Sequence, residues 1–132
     1  MANLKLRRDR GTLEIGIVEL YSQVAVGAAG APTMNIPRSK GIKSVVRNSA
    51  GNYTINLSDI YQYLMFLDYM IVLGAGGPSA GTNLNCVVRA DNSNSSATPA
   101  VQVEFLNSAG AAVDLASGCT VLFDLQFKNS LV

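Results

Sequence analysis

The stretch VVRNSAGNYTINL, Val45 to Leu57, consists of two alternating runs separated by the polar tetrapeptide NSAG. Both runs are rich in Val, Ile, Thr and Tyr, whose branched or flat side chains suit a pleated sheet. Within NSAG, Asn48 and Gly51 fit the first and fourth positions of a type I turn, where Asn accepts a backbone hydrogen bond and Gly takes a positive φ. The stretch therefore predicts a β-hairpin.

The same tetrapeptide returns at Asn107 to Gly110, between VQVEF and AAVDL. The chemistry of the turn is identical, and an alternating run precedes it. We therefore predict a second hairpin at this turn, whose return strand is a short extended piece at Ala111 to Gly118.

Further alternating or β-branched runs recur roughly every ten residues. The apolar run SDIYQYLMFLDYMIVL also fits a helical stripe, but its aromatic and β-branched content favours a long strand after Gln62. Before it, Ser58 to Gln62 is expected to form a turn, or a single helical turn with Ser58 as its cap. The proline-containing PTMNIPRSKG and the glycine-rich Gly74 to Asn83 read as loops. The predicted strands are Thr12 to Leu20, Gln23 to Gly27, Ile42 to Asn48, Asn52 to Leu57, Tyr63 to Leu73, Leu84 to Ala90, Ala100 to Leu106 and Cys119 to Asn129.

This pattern predicts an all-β protein: an antiparallel β-sandwich of about eight strands, of jelly-roll-like type. Residues 1–12 are expected to form an N-terminal basic arm and residues 13–132 a single domain. The alternation places one set of side chains in the core, namely Val101, Val103, Phe105, Val121, Phe123, Leu125 and Phe127. Apolar residues at outward positions, such as Val18, Leu106 and Leu122, favour self-association in a chain with only 14% charged residues.

Composition narrows the chemistry available to the chain. It contains no histidine, which removes Ser-His and Cys-His nucleophile pairs and mixed Cys/His zinc sites. Cys86 and Cys119 lie in apolar runs without metal-site spacing, so we interpret them as buried small hydrophobic residues, with a disulfide left open. We expect no metal and no cofactor.

No catalytic constellation stands out either. GAGGPSAG, at residues 74–81, lacks the ending of a phosphate-binding loop and no helical pattern follows it. The carboxylate pairs available for glycoside hydrolysis are Asp59 with Asp68 and Glu104 with Asp124. Since Glu104 and Asp124 fall at outward strand positions among other polar residues, we interpret them as solvated. The chain is not expected to be an enzyme.

Charge is distributed unevenly along the chain. Residues 1–47 carry eight basic and three acidic side chains, whereas residues 48–132 carry two basic and six acidic ones. The basic arm lacks interleaved aromatic residues, so we expect neither a nucleic acid nor a membrane as partner. No apolar stretch follows the basic N-terminus, and a protein made in a reducing cytoplasm is the simplest reading. The candidate docking residues are Lys5, Arg7, Arg8 and Arg10.

Residues 41–130 resemble a family of small structural proteins of tailed phages. The resemblance lies in a (V/I)-x-R-x-x-x-G-x-Y-T-(V/I)-x-L hairpin and in a final alternating aromatic strand closed by (R/K)-N-S. The matching positions are Val45, Arg47, Gly51, Tyr53, Thr54, Ile55 and Leu57, then Phe123, Leu125, Phe127, Lys128, Asn129 and Ser130.

The resemblance implies a capsid decoration, or cement, protein: a β-sandwich that assembles as a homotrimer on the outer surface of the virion and bridges major capsid proteins. The N-terminal arm would anchor it there, although this arm is more basic than the family pattern. The alternative is a head-fibre or tail-spike module that recognises a host glycan or surface protein through loops at Gly74 to Asn83 and Asp91 to Pro99.

Overall fold

Two antiparallel sheets of four strands each form the protein in the computed structural model, which describes residues 16–74 and 83–128. The all-β antiparallel sandwich predicted from the sequence is confirmed. Sheet A has the order β2-β1-β8-β5 and sheet B the order β3-β4-β7-β6. The strands are β1 (Ile17–Val26), β2 (Pro32–Met34), β3 (Ile42–Ser49), β4 (Asn52–Leu57), β5 (Tyr63–Val72), β6 (Asn85–Asn92), β7 (Ala100–Leu106) and β8 (Thr120–Lys128), with short 3-10 turns at Ala28–Gly30 and Ile36–Arg38.

Several predictions fall on other parts of the chain. The arm at residues 1–12, including Lys5, Arg7, Arg8 and Arg10, lies outside the described residues, as does most of the glycine-rich loop, at residues 75–82.

The core lies between the two sheets and is filled from both. All seven predicted inward side chains of β7 and β8 are buried, which confirms the alternation of these two strands. Phe105 contacts Tyr53 edge-to-face, with ring centroids 5.7 Å apart, and Tyr61 stacks on Phe127 at 4.8 Å. Phe105 also contacts Tyr69 and Phe123 of sheet A, with ring centroids 5.9 Å and 6.3 Å apart, so aromatic packing joins the two layers.

The hairpin at Val45 to Leu57 forms as predicted, since β3 and β4 pair antiparallel on either side of Ala50 and Gly51. Gly51 takes φ +70°, the positive value expected of a glycine here. The side chain of Asn48 acts differently from the prediction. Instead of accepting from the backbone, its amide donates to Asn52 Oδ1 at 2.8 Å and to Thr54 Oγ1 at 2.7 Å.

The second NSAG also turns the chain. Gly110 N donates to Asn107 O at 2.9 Å, and Asn107 Oδ1 accepts from the backbone of Ala109 and Ala111, as the turn chemistry predicts. The predicted return strand is nearly absent, because the extended piece pairs only through an isolated bridge between Leu106 and Ala112. The segment then continues as irregular chain to β8, which lies in the other sheet.

Tertiary contacts bring the two tetrapeptide regions side by side. The guanidinium of Arg47 donates two hydrogen bonds of 2.8 Å to the carboxylate of Asp114, and Gly51 N donates to the same carboxylate at 3.0 Å. Gly51 O in turn accepts from Phe105 N at 2.8 Å. A two-bond Arg–carboxylate pair has a defined geometry, so it fixes the irregular segment against the β3–β4 turn.

Loss of the Asp114 charge should reduce stability in a pH-dependent way. The hydrogen bonds from Arg47, followed by the one from Gly51, lower the pKa of Asp114 from its usual 3.8. A lowered pKa stabilises the fold above the unfolded-state pKa, and this stabilisation is lost as pH falls through the folded-state value. We therefore expect Asp114→Asn to lower the melting temperature by several degrees at pH 7, with the difference from wild type closing below about pH 4.

Glu104→Gln is the matched control for Asp114→Asn. Glu104 accepts a single 2.7 Å bond from Arg89, whose side chain is 54% exposed, and exposed ion pairs contribute little. Thermal melts at pH 7 and at pH 2.5 make the comparison. Equal melting temperatures for Asp114→Asn and wild type at pH 7 would contradict the structural role given to this carboxylate.

The N-terminal strands differ from the sequence prediction. The predicted strands Thr12 to Leu20 and Gln23 to Gly27 are one continuous strand in the described region, β1, which pairs with β8 over nine residues. Ser22, which interrupts the apolar pattern, is buried and its hydroxyl lies 3.2 Å from that of Ser39. Val18 packs against the core instead of facing outward, because it shares the face of Leu20.

The segment predicted as a loop around Pro32 contributes an edge strand, β2, and a 3-10 turn. Pro32 begins that strand, where its missing N–H is tolerated. The long strand after Gln62 is confirmed as β5, whereas Ser58 caps no helix: its backbone N–H donates to Gly41 O at 3.0 Å.

Candidate interaction surface

The outer face of sheet A, the one turned away from the core, presents side chains in rows across three neighbouring strands. Register sets the rows: β1 and β5 both pair with β8, so each outward residue of β8 lies between one of β1 and one of β5. The central rows are Gln23, Leu122 and Met70, then Tyr21, Asp124 and Asp68, then Glu19, Gln126 and Phe66.

Two carboxylates face each other in the middle row. Asp68 on β5 and Asp124 on β8 are direct cross-strand partners, and like charges in such positions repel. Asp68 Oδ1 accepts from Tyr69 N at 2.8 Å, whereas Asp124 Oδ1 is buried and has no hydrogen-bond partner among the described residues. The sequence suggested two other carboxylate pairs, Asp59 with Asp68 and Glu104 with Asp124. The structure does not place Glu104 beside Asp124, because Glu104 lies in sheet B.

These carboxylates lie in a cleft of about 360 Å³, here called the acidic cleft. Its walls include Tyr21, Met70 and Leu122, so an apolar surface surrounds the charges. Among the described residues, Arg38 is the single basic one that lines the cleft, and its guanidinium lies 3.5 Å from Gln23 Oε1. The cleft also includes Glu19, Asp68 and Asp124. It suits a ligand that combines positive charge with apolar groups.

The acidic cleft is not arranged as a metal centre. Over residues 16–74 and 83–128, no three His, Cys, Asp or Glu side chains cluster as they would around an ion. The cysteines offer no nucleophile either: burial raises the pKa of the Cys86 thiol to about 12, and Cys119 is buried. Both are free thiols here. The prediction of a buried small hydrophobic residue is confirmed for Cys119, whereas Cys86 is only partly buried and packs against the core.

A second feature is the edge of the sandwich where β5 and β6 lie side by side. Each is the last strand of its sheet, so backbone groups on one side of each have no neighbouring strand within the part of the chain that the structure describes. Large apolar side chains on these strands are exposed, and we call this group the open edge: Tyr63, Met65, Phe66, Val87 and Val88. Long edge strands with exposed apolar residues are prone to pair with another chain.

The outer face of sheet B is different, since its polar side chains bond to one another. Asn52 Oδ1 accepts from Asn48 and from Gln102, and Asn56 donates to Ser44 Oγ at 2.9 Å. A polar surface that satisfies itself in this way has little to gain from a partner. This difference makes the outer face of sheet A and the open edge the candidate interaction surface.

Sequence reasoning found part of this surface. Leu122 is exposed as predicted, whereas Leu106 is half-buried. The exposed residues of β5 were missed, because the apolar run of that strand gives no indication that it lies at an edge. The four candidate docking residues of the arm are outside the described region.

The structure holds no helix, within the ranges it describes, of the length and apolar character needed to span a membrane. Comparison of the chain with protein-family models, with curated proteins and with solved structures found no match. Its function must therefore be argued from the surface itself and from the sequence motifs.

Proposed function

We propose that the chain is a structural virion protein, a decoration or cement protein that binds the outer surface of a phage capsid and bridges major capsid proteins. It would be made in the host cytoplasm, act without a cofactor and assemble as a homotrimer. The observation that carries the proposal is the open edge, where an edge strand of ten residues exposes large apolar side chains. The hairpin and terminal-strand motifs support the same reading.

Self-association through the open edge follows from its composition. Phe66 is 49% exposed and Met65 is 47% exposed, so burying the exposed half of each side chain against a neighbouring copy gains roughly 0.7–1.5 kcal/mol. In an isolated subunit the open edge is exposed to water. In a closed ring of subunits with identical contacts, the edge of every subunit is covered by its neighbour.

Docking on the shell is assigned to the basic arm, with Lys5, Arg7, Arg8 and Arg10 contacting an acidic capsid surface. A trimer presents three such arms, and linked contacts of modest strength act together as one strong restraint. In this way a small protein would tie neighbouring capsomers together against internal pressure.

Purified protein mixed with empty, expanded capsids tests the proposal through co-sedimentation and capsid melting. We expect saturable binding and a higher capsid melting temperature. The double variant Lys5→Ala/Arg7→Ala should bind at least about tenfold more weakly, while the matched variant Lys40→Ala/Lys43→Ala binds as wild type. If full occupancy leaves capsid melting unchanged, the protein is no cement. Glycan-array binding without capsid binding would favour the fibre or spike alternative.

A further inference from the structure

The acidic cleft has a ligand that the chain itself can supply. We propose that, in the free protein, the cleft binds the basic segment Leu4–Arg10 of the same chain. The inference goes beyond the proposed function, because it requires neither a capsid nor a trimer. The cleft would hold the arm in the free protein, and an acidic partner surface could then displace the arm from the cleft.

Charge is the first argument. Glu19, Asp68 and Asp124 line the cleft against one basic residue, Arg38. Neither salt bridge of the described residues involves any of these carboxylates. The segment LKLRRDR supplies four basic side chains and one acidic one. A cation placed between Asp68 and Asp124 would turn a repulsive cross-strand pair into an attractive site.

The apolar pattern is the second argument. Leu4 and Leu6 flank Lys5, so an extended segment directs leucines to one side and lysine to the other. The stems of Lys and Arg are also apolar and cover hydrophobic surface while their charged ends reach polar groups. Tyr21, Met70 and Leu122 provide such a surface around the carboxylates.

Reach is the third argument. Gly16, the first described residue, has φ +90° and lies directly before β1. From Ile17 to Tyr21 along the strand is roughly 13 Å at the usual rise per residue. Residues 11–16 span up to about 20 Å when extended, which brings residues 4–10 within reach of the cleft of their own subunit.

Carbodiimide coupling of the full-length protein tests this contact, because it joins an amine directly to a carboxylate with no spacer. At low salt we expect a Lys5 bond to Glu19, Asp68 or Asp124, identified by mass spectrometry after proteolysis. The yield should fall at least about fivefold at 1 M salt, where surface charges are screened. Lys5→Arg keeps the charge but removes the amine, and should abolish the product.

A sample mixed from isotopically light and heavy protein identifies the subunit that supplies the segment. Products of a single isotopic composition support the proposal, whereas light–heavy hybrids would replace it with an arm from a neighbouring copy. The double variant Asp68→Asn/Asp124→Asn should reduce the Lys5–Glu19 product at least about fivefold. The control Asp59→Asn/Glu104→Gln should leave it unchanged.

Absence of Lys5 coupling to all three cleft carboxylates in wild-type protein would overturn the proposal. So would a Lys5–Glu19 yield that stays the same in the Asp68→Asn/Asp124→Asn variant, provided that its thermal melt shows a folded protein. If that variant fails to fold, the salt dependence in wild-type protein decides: a yield that does not change at 1 M salt also overturns it.

Discussion

Replacing Gly51 with alanine is expected to cost about 3–5 kcal/mol of unfolding free energy, whereas the same change at Gly110 should cost only about 1–2 kcal/mol. Both glycines end an NSAG tetrapeptide, and both have positive φ, +70° and +78°. The left-handed backbone penalty is therefore common to the two positions. What differs is the space around them.

A Cβ added at Gly51 would lie 2.7 Å from Val113 N and 2.8 Å from Phe105 O, whereas one added at Gly110 meets nothing within 4 Å. The neighbours of Gly51 are backbone atoms that are hydrogen-bonded to each other, since Val113 N donates to Phe105 O. They can move only by breaking the contact between the two turn regions, which adds the cost of overpacking to that of the backbone.

Urea or thermal unfolding of the two alanine variants measures the difference directly. The comparison is internally controlled, because the substitution and the local tetrapeptide are the same. Equal losses of unfolding free energy in the two variants would show that backbone conformation alone sets the loss. The close approach of backbone atoms at Gly51 would then have no effect on stability.

The second large effect concerns the open edge. We expect Val88→Glu to convert the proposed homotrimer to monomer, with an association constant lowered at least about 100-fold. A carboxylate placed there would have to lose its water without a partner when the edge is buried against a neighbouring copy. Phe66→Glu, on the adjacent β5, should act in the same way.

Val46→Glu is the matched control for the edge variants. Val46 is 47% exposed and Val88 is 44% exposed, but Val46 belongs to β3, at the opposite edge of sheet B. Light scattering coupled to size exclusion gives the mass of each variant. A trimeric Val88→Glu protein, or a Val46→Glu protein that dissociates equally, would place the subunit contact elsewhere.

Local patterns in the sequence were sufficient for much of the fold. The alternation of β7 and β8 identified their inward side chains, and the two NSAG segments identified two chain reversals, because side-chain period and turn φ depend on residues near one another in the chain. The same reasoning failed at Ser22, where a distant hydroxyl, that of Ser39, lets a polar residue be buried.

The candidate surface was decided by contacts between distant residues. The sequence by itself determined that this protein consists of paired strands with one apolar side, and where two of its turns lie. Only the tertiary structure decided that Asp68 faces Asp124, that Asp114 holds the β3–β4 turn, and that β5 lies at an edge. Strand order and register depend on which distant segments pair, and alternation within a single strand is compatible with many pairings.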